Sequence, residues 1–185
     1  MQNQVVTALA ALFERYQRNY GQPLAEHDPG EPSPAGQLPA HQGKVAWHPY
    51  TRAEPGSFDN LAQALNMPVH PSLPALFGHY YAGHLPLCYK GMFITLLQPW
   101  NDADFERLQQ NQIGHQLMQQ KLKLPATWFI ATCRDERRLI TLDNVSGAVL
   151  LERLGQGAIG TLAPDLATFL HRAEPVGPHA YHLTP

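Results

Sequence analysis

Long uncharged apolar runs are missing from this chain of 185 residues. The apolar segment VVTALAALF near the N-terminus has no basic residue before it, and Glu14, Arg15 and Arg18 follow at once. A membrane-spanning helix needs about 20 consecutive apolar residues, and a secretory signal peptide begins with a basic region. We therefore expect neither of these segments, and we predict that any membrane association is peripheral.

Cysteine and charge are also scarce. Only Cys88 and Cys133 occur, without a CxxC motif, which argues against a disulfide framework and favours a reducing cytosol. Charged residues make up 15% of the chain and the net charge is −2, so the basic stripe typical of a nucleic-acid-binding protein is missing. We predict no nucleic-acid partner.

The charge that is present is unevenly distributed. Residues 1–106 contain nine acidic and five Lys/Arg residues, a net charge of −4, whereas residues 107–185 contain six and eight, a net charge of +2. An acidic N-terminal part attracts basic partners electrostatically. The alternative interpretation is that these charges only solvate a surface.

The pattern of apolar residues predicts an α+β fold in a single domain. The order of elements is helix, strands, helix, strands, helix with hairpin connections, which favours a largely antiparallel sheet flanked by helices. Residues 1–174 are predicted to form the domain, with a loop-rich segment at 21–43, and 175–185 a C-terminal tail. The predicted helices are 3–20, 58–65 with a cap near Ser57, 102–122, and APDLATFLHR with Pro164 in its first turn. The predicted strands are 45–47, two or three within 76–98, TWFIATC, LITLDN and AVLLERL, the last two joined by an NVSG turn.

No familiar catalytic or metal-binding motif is present. The ten histidines include neither HExxH nor zinc-finger spacing, the serines lack a GxSxG setting, and LGQGAIG lacks the lysine of a phosphate-binding loop. Cys88 or Cys133 with a distant histidine remains a weaker alternative, because catalytic groups converge only in space. We predict no catalytic residue, no metal and no cofactor.

The segment NQIGHQLMQQKLKLP is interpreted as structural. The pattern predicts a buried stripe on this helix and a solvated side, on which Gln109, Gln110, Gln116, Gln119 and Gln120 lie. The predicted stripe consists of Phe105, Leu108, Ile113, Leu117 and Leu122. A glycine inside a helix costs about 1 kcal/mol relative to alanine, so Gly114 predicts close packing by another element. His115 is predicted to be a hydrogen-bonded structural histidine.

A group of carboxylates at the start of the same helix is the candidate site. Asp102 and Asp104 lie where negative charge is favoured by the helix dipole, and Asn101 with Asp104 resembles a capping box. Helix capping alone explains these residues. The functional hypothesis is that they line one groove for a basic peptide, together with Glu106, Glu54 and Asp59.

Four segments in this order and spacing closely resemble the Syd family of SecY-interacting proteins of Gram-negative bacteria: ITLLQPW, DFERLQQNQIGHQL, KLKLPATWFIAT and NVSGAVLLERLG. The upstream segments QPLAEHDPGEPSP and VAWHPYTR look like more variable parts of that family. The resemblance is densest over residues 94–155. It extends from the first helix to about residue 172, and it implies a mixed α/β single domain of the SUKH superfamily.

The resemblance implies a non-enzymatic protein that binds SecY at the cytoplasmic face of the inner membrane and monitors the assembly of the export channel. We expect this protein to be a monomer. Binding in the family is attributed to a concave electronegative surface. In this sequence the expected contacts are Glu54, Asp59, Asp102, Asp104 and Glu106, with Glu26, Asp28 and Glu31 as additional candidates. The alternatives are an immunity-like protein that binds a basic toxin and, less favoured, a small histidine-dependent hydrolase.

Overall fold

The computed structural model describes residues 2–177. The helices in this range are α1 (Gln2–Tyr20), α2 (Asp59–Leu65), α3 (Ser72–Phe77), α4 (Asp102–Lys121) and α5 (Leu166–Arg172). The strands are β1 (Leu24–Glu26), β2 (Gly36–His41), β3 (Lys44–Trp47), β4 (Tyr50–Thr51), β5 (Tyr80–Tyr81), β6 (Leu85–Tyr89), β7 (Met92–Leu96), β8 (Thr127–Cys133), β9 (Arg138–Asp143), β10 (Val149–Arg153), β11 (Gly157–Ala163) and β12 (Glu174–Pro175).

Seven strands form the main sheet in the order β11-β10-β9-β8-β7-β6-β12, and each neighbouring pair is antiparallel. A three-stranded sheet, β1-β3-β2, and a β4-β5 pair complete the strands of the described region. Helix α1 packs against α3 and α5, while α4 packs on β8. This arrangement confirms the predicted α+β class, a largely antiparallel sheet flanked by helices in a single domain.

The predicted loop at 21–43 is wrong in part, because β1 and β2 lie within it and pair with β3. The proline and glycine content that suggested a loop belongs to the connection between these strands and to β2 itself. Strand β2 is an edge strand, and its pairing with β3 skips the positions around Pro39. A proline has no N–H to donate, and an edge strand tolerates this loss.

One helix and one helix boundary also differ from the prediction. Helix α3 was not predicted, although its Pro74 lies in the first turn, where the missing N–H has no helical partner. Helix α5 begins at Leu166, so Pro164 precedes the helix instead of lying in its first turn. Asp165 is the N-cap, and its Oδ1 accepts a hydrogen bond of 2.7 Å from the Thr168 N–H.

The main sheet reaches into the segment predicted as a tail. Glu174 and Pro175 form β12 opposite Cys88 and Leu87, and the Val176 N–H donates to the Pro86 carbonyl at 3.1 Å. The division at residue 174 stays a prediction, and residues 178–185 of the predicted tail lie outside the described residues.

The face of α4 that packs on the sheet is polar, which contradicts the predicted stripe of leucines. Leu117 and Leu122 are 54% and 44% exposed, whereas Gln116 and Gln119 are almost completely buried. The buried face of α4 consists of Phe105, Gln112, His115, Gln116 and Gln119. Buried amide side chains are stable only when they are hydrogen-bonded, and the adjacent strands supply the partners.

The partners come from β8 and β10. Gln112 Nε2 donates to the Phe129 carbonyl at 2.7 Å, and Gln116 Nε2 donates to the Thr127 carbonyl. Gln119 Nε2 donates to Glu152 Oε1 at 2.8 Å. These side-chain hydrogen bonds to strand carbonyls and to a carboxylate fix the position of α4 on the sheet.

Gly114 and His115 have different roles from each other. Among the described residues, no atom of another element lies within 4 Å of the place where a Gly114 Cβ would be, so the predicted close packing at this glycine is wrong. His115 is 7% exposed and its Nε2 lies 3.1 Å from Thr127 Oγ1. The prediction of a hydrogen-bonded structural histidine is confirmed.

Candidate protein-binding surface

The start of α4 is fixed by two hydrogen bonds. The Asn101 side chain accepts from the Asp104 N–H at 2.9 Å, and Asp104 Oδ2 accepts from the Trp100 N–H at 2.9 Å. The first bond is the N-cap bond of a capping box, whereas the second departs from that motif because Asp104 accepts from the residue before the N-cap. Asp104 therefore has a structural role besides any role in binding.

The three carboxylates of the candidate site point in different directions. At about 100° per residue, Asp102 and Glu106 lie on one side of the helix and Asp104 on nearly the opposite side. Phe105, which is buried, lies between the two sides. The predicted single groove through all three residues is thus divided into two surfaces that flank Phe105.

We call the first surface the Asp102 face; it consists of Glu54, Asp59, Asp102 and Glu106. Arg52 Nη2 lies 3.6 Å from Asp102 Oδ1, and the Arg52 guanidinium packs over the ring of Phe105. Phe58, next to Asp59, forms an edge-to-face contact with Phe105 at 5.3 Å between ring centroids. These contacts place segment 52–59 against the start of α4.

Tyr81 completes the Asp102 face. Its hydroxyl donates to Asp102 Oδ1, and its ring lies 4.5 Å from the Arg52 guanidinium carbon. Burial, followed by the hydrogen bond to Asp102, raises the pKa of Tyr81 to about 12. The phenol is therefore protonated at neutral pH and remains a donor to Asp102.

The second surface is a groove on the Asp104 side of α4. We call it the acidic groove; it is defined by Glu26, Asp28, Glu31, Trp100 and Asp104. Arg107 crosses it, with Nη1 2.8 Å from Glu31 Oε1 and Nη2 3.4 Å from Asp104 Oδ1. Hydrogen bonds from Arg107, and then from Asn101, lower the pKa of Glu31.

The acidic groove is formed by three adjoining cavities. Glu26, Asp28, Glu31 and Trp100 line the first, of about 70 Å³, together with the largely exposed Leu38. The second, of about 150 Å³, shares Glu26 and Trp100 and extends to Asp104. The third, of about 170 Å³, continues from Asp104 along α4. The lining of the groove thus combines carboxylates with apolar side chains.

The two surfaces together carry a clear excess of negative charge. Their eight carboxylates are opposed by three cations, Lys44, Arg52 and Arg107, which leaves five uncompensated negative charges. Within the described region, four of these eight carboxylates, Asp28, Glu54, Asp59 and Glu106, are exposed and have no ion-pair partner. These charges are available to an external partner.

Several members of this surface were not predicted. The bridge from Glu31 to Arg107 spans 76 positions, and Ser33 Oγ donates to the Trp100 carbonyl across 67. Such contacts arise because the connection between β1 and β2, which contains Glu31 and Ser33, lies against the start of α4. The one local signal was Trp100 itself, a large aromatic residue directly before an acidic helix start.

His115, which is buried between α4 and the sheet, makes stability depend on pH. Burial lowers the pKa of His115 below its ordinary value of 6.5, and the nearby Glu152 carboxylate opposes part of that shift. Below pH 6.5 the unfolded chain therefore binds more protons at this residue than the folded chain does, and the free energy of unfolding decreases until the pH reaches the folded pKa. The stability that neutral His115 provides is thus present above 6.5 and lost on acidification.

We expect urea unfolding of the wild-type protein to require less urea at about pH 5.5 than at about pH 7.5. The variant His115→Gln should show a smaller decrease over the same interval, although it is less stable at both values. The other histidines contribute equally to both proteins. The difference between the loss of stability in the wild type and the loss in the variant therefore measures the contribution of His115. Equal decreases would contradict the assignment.

The described residues contain no group of three metal-binding side chains. Between residues 2 and 177, none of the helices has the length and apolar content needed to cross a bilayer.

Comparison with known proteins defines the family. The family model described as Syd protein (SUKH-2) matches residues 6–175. The chain is 44% identical to Protein Syd of Tolumonas auensis, covering 95% of this chain and 92% of that relative. It is 43% identical to Protein Syd of Aeromonas salmonicida, covering 97% and 100%, and 38% identical to Protein Syd of Pectobacterium carotovorum, covering 95% and 99%. The chain belongs to the Syd family, as its sequence motifs indicated.

Proposed function

We propose that this chain is a non-enzymatic protein-binding module that docks on the SecY subunit of the protein-export translocon. In this proposal it acts as a monomer, reaches the cytoplasmic face of the inner membrane through its partner, and monitors or regulates the assembly of the channel. Membership of the Syd family and the resemblance described above support this function. The acidic surface around the start of α4 provides the physical basis.

One observation carries the proposal: the Asp102 face and the acidic groove together carry five excess negative charges, and the lining of the groove includes the apolar side chains of Trp100 and Leu38. Membrane proteins have an excess of Lys and Arg in their cytoplasmic loops, so these loops match the charge of the surface. Complementary charge accelerates encounter and selects the partner, while buried apolar contacts provide much of the affinity. Trp100 and Leu38 are suited to the second task.

The division of the surface suggests separate tasks for its two parts. On the Asp102 face, Glu54, Asp59 and Glu106 are free to attract basic side chains. In the acidic groove, Arg107 already compensates part of the charge of Glu31 and Asp104. An incoming basic segment can displace or share these internal ion pairs. We therefore assign long-range attraction to the Asp102 face and close contact to the groove.

Salt dependence tests this proposal directly. We expect the affinity for SecYEG, reconstituted in nanodiscs of zwitterionic lipid, to fall about tenfold between about 0.01 M and about 0.15 M ionic strength, because exposed charges are screened. The measurement is a fluorescence titration of labelled protein against the nanodiscs. Binding that does not change with salt would remove the acidic surface from the account, and no binding at either salt concentration would contradict the proposed partner.

A further inference from the structure

A second charged surface, of opposite sign, lies at the other end of α4. Helix α4 has 20 residues, so its ends are about 30 Å apart. Lys121 and Lys123 are exposed at its C-terminal end. The exposed arginines Arg134 and Arg137 and the half-buried Arg138 lie at the β8–β9 turn, and Arg153 lies at the end of β10.

These cations are brought together by the hairpins of the main sheet. Arg153 pairs with Arg138 across β10 and β9, and the Leu154 N–H donates to the Arg137 carbonyl at 2.9 Å. Arg137, Arg138, Arg153 and Leu154 line a cavity of about 290 Å³, together with Asp135 and Gln156. The C-terminal end of α4 adjoins the same surface. Leu122, directly after α4, is a neighbour of Gly155, because a Cβ placed on Gly155 would lie 3.9 Å from Leu122 Cδ1.

The positive charge of this surface exceeds what the molecule neutralises internally. Five cations, Lys121, Lys123, Arg137, Arg138 and Arg153, stand against two carboxylates, Asp135 and Glu136, an excess of three positive charges. Asp135 lies 3.2 Å from Arg138 Nε and 3.7 Å from Arg137 Nε. In the described part of the chain, Lys121, Lys123 and Arg153 have no ion-pair partner. We call this surface the basic patch.

Apolar side chains project from the basic patch. Leu122 and Leu154 are 44% and 42% exposed, and each lies next to exposed cations in the sequence. Exposed leucines have no favourable contact with the sugar-phosphate backbone of a nucleic acid, which is recognised by charge and by hydrogen bonds. A bilayer surface satisfies both components, because its anionic headgroups pair with Lys and Arg while its acyl boundary accepts apolar side chains.

The geometry points to the basic patch as a contact site for the surface of a bilayer that contains anionic phospholipids. Arg137, Arg138 and Arg153 pair with the headgroup phosphates around the cavity. Lys121 and Lys123 add attraction, and Leu122 and Leu154 enter the interface between headgroups and acyl chains. This contact is independent of the acidic surface and of its proposed protein partner.

Co-sedimentation with vesicles tests the inference without any translocon component. We expect the protein to bind vesicles of equal parts phosphatidylglycerol and phosphatidylcholine, and not vesicles of phosphatidylcholine alone. The double variant Lys121→Gln/Arg153→Gln should bind on the order of tenfold more weakly, because each cation near the surface contributes to partitioning. The matched control Arg18→Gln/Arg172→Gln removes the same charge from other exposed positions and should bind like the wild type.

The leucines distinguish a bilayer from another polyanion. Leu154→Ser should weaken vesicle binding, and a single-stranded RNA oligonucleotide should bind poorly to the wild type. Equal binding to both kinds of vesicle, or equal losses in the patch and control variants, would overturn the inference. RNA binding that is insensitive to Leu154→Ser but lost in Lys121→Gln/Arg153→Gln would also overturn it and would assign the patch to nucleic acid.

Discussion

Replacing Glu152 by alanine is expected to lower the free energy of unfolding by about 3 kcal/mol, because the change leaves buried donors without an acceptor. Glu152 is completely buried under α4. Its Oε2 accepts from Thr127 Oγ1 at 2.7 Å and its Oε1 accepts from Gln119 Nε2 at 2.8 Å. His115 Nε2 lies 3.9 Å from the same carboxylate. Alanine would remove both acceptors and open a cavity.

The hydrogen-bond network also defines the state of the histidine. Thr127 uses its hydroxyl hydrogen to donate to Glu152, so its oxygen can only accept from His115 Nε2. A hydrogen bond between this oxygen and neutral His115 therefore requires the tautomer with its proton on Nε2. The network is therefore a chain of donors that ends on the Glu152 carboxylate.

Urea denaturation followed by tryptophan fluorescence measures the loss, since Trp47 and Trp128 are fully buried. Glu152→Gln is the matched control. It keeps the size of the side chain and one acceptor oxygen, so we expect it to cost about 1 kcal/mol. If Glu152→Ala were no less stable than Glu152→Gln, the carboxylate would not be the centre of this network.

Reversing charges in the acidic groove and on the Asp102 face is expected to weaken binding to SecYEG by about tenfold for each pair and about 100-fold for both together. The groove variant is Glu26→Lys/Asp28→Lys, and the face variant is Glu54→Lys/Glu106→Lys. These residues are exposed, so the substitutions leave the core intact. Asp102 and Asp104 are avoided because they also bond to Tyr81, Arg52 and the Trp100 N–H.

The control for these reversals is Glu14→Lys/Glu136→Lys, which alters the net charge by the same amount at exposed positions outside both surfaces. We expect it to bind like the wild type in nanodiscs of zwitterionic lipid. A loss confined to the groove variant would limit the site to the Asp104 side of α4. Equal losses in all three variants would show that net charge alone drives the association, contrary to a defined site.

Much of the fold was predictable because its apolar pattern is local. The apolar residues of α1 recur at helical spacing, and most of them are buried, although Tyr20 at its end is 46% exposed. The hairpin from β9 to β10 follows from its turn residues, where Asp143 Oδ1 accepts from the Val145 N–H at 3.1 Å. The β1-β3-β2 sheet was missed, because its strands are short and its proline content favours a loop.

Helix α4 shows where pattern analysis fails. The sequence pattern assigned leucine and isoleucine to the buried side and glutamine to the solvated side. In the structure Leu117 is exposed and Gln116 is buried, the opposite of the prediction. Hydropathy does not contain the information that Thr127 and Glu152 offer buried hydrogen-bond partners to this helix. The one local hint was His115, which was correctly assigned to the interior.

The candidate site was predictable in composition but not in shape. The acidic start of α4 and the capping by Asn101 follow from neighbouring residues. Asp102 and Asp104 are two positions apart in a helix, so they lie on nearly opposite sides of α4. The sequence-based hypothesis placed them in one groove and did not take this angle into account. The pairing of Arg107 with Glu31 depends on tertiary packing, so no local pattern reveals it.

A charge exchange between the two partners tests the central claim most directly. The affinity of the wild type and of the combined groove and face variant would be measured for SecYEG with native cytosolic loops and with loops whose Lys and Arg are replaced by Glu. We predict that each single change weakens binding and that the doubly exchanged pair regains at least about tenfold over either mismatched pair. If the doubly exchanged pair bound no better than the mismatched pairs, the acidic surface would not contact the basic loops of SecY.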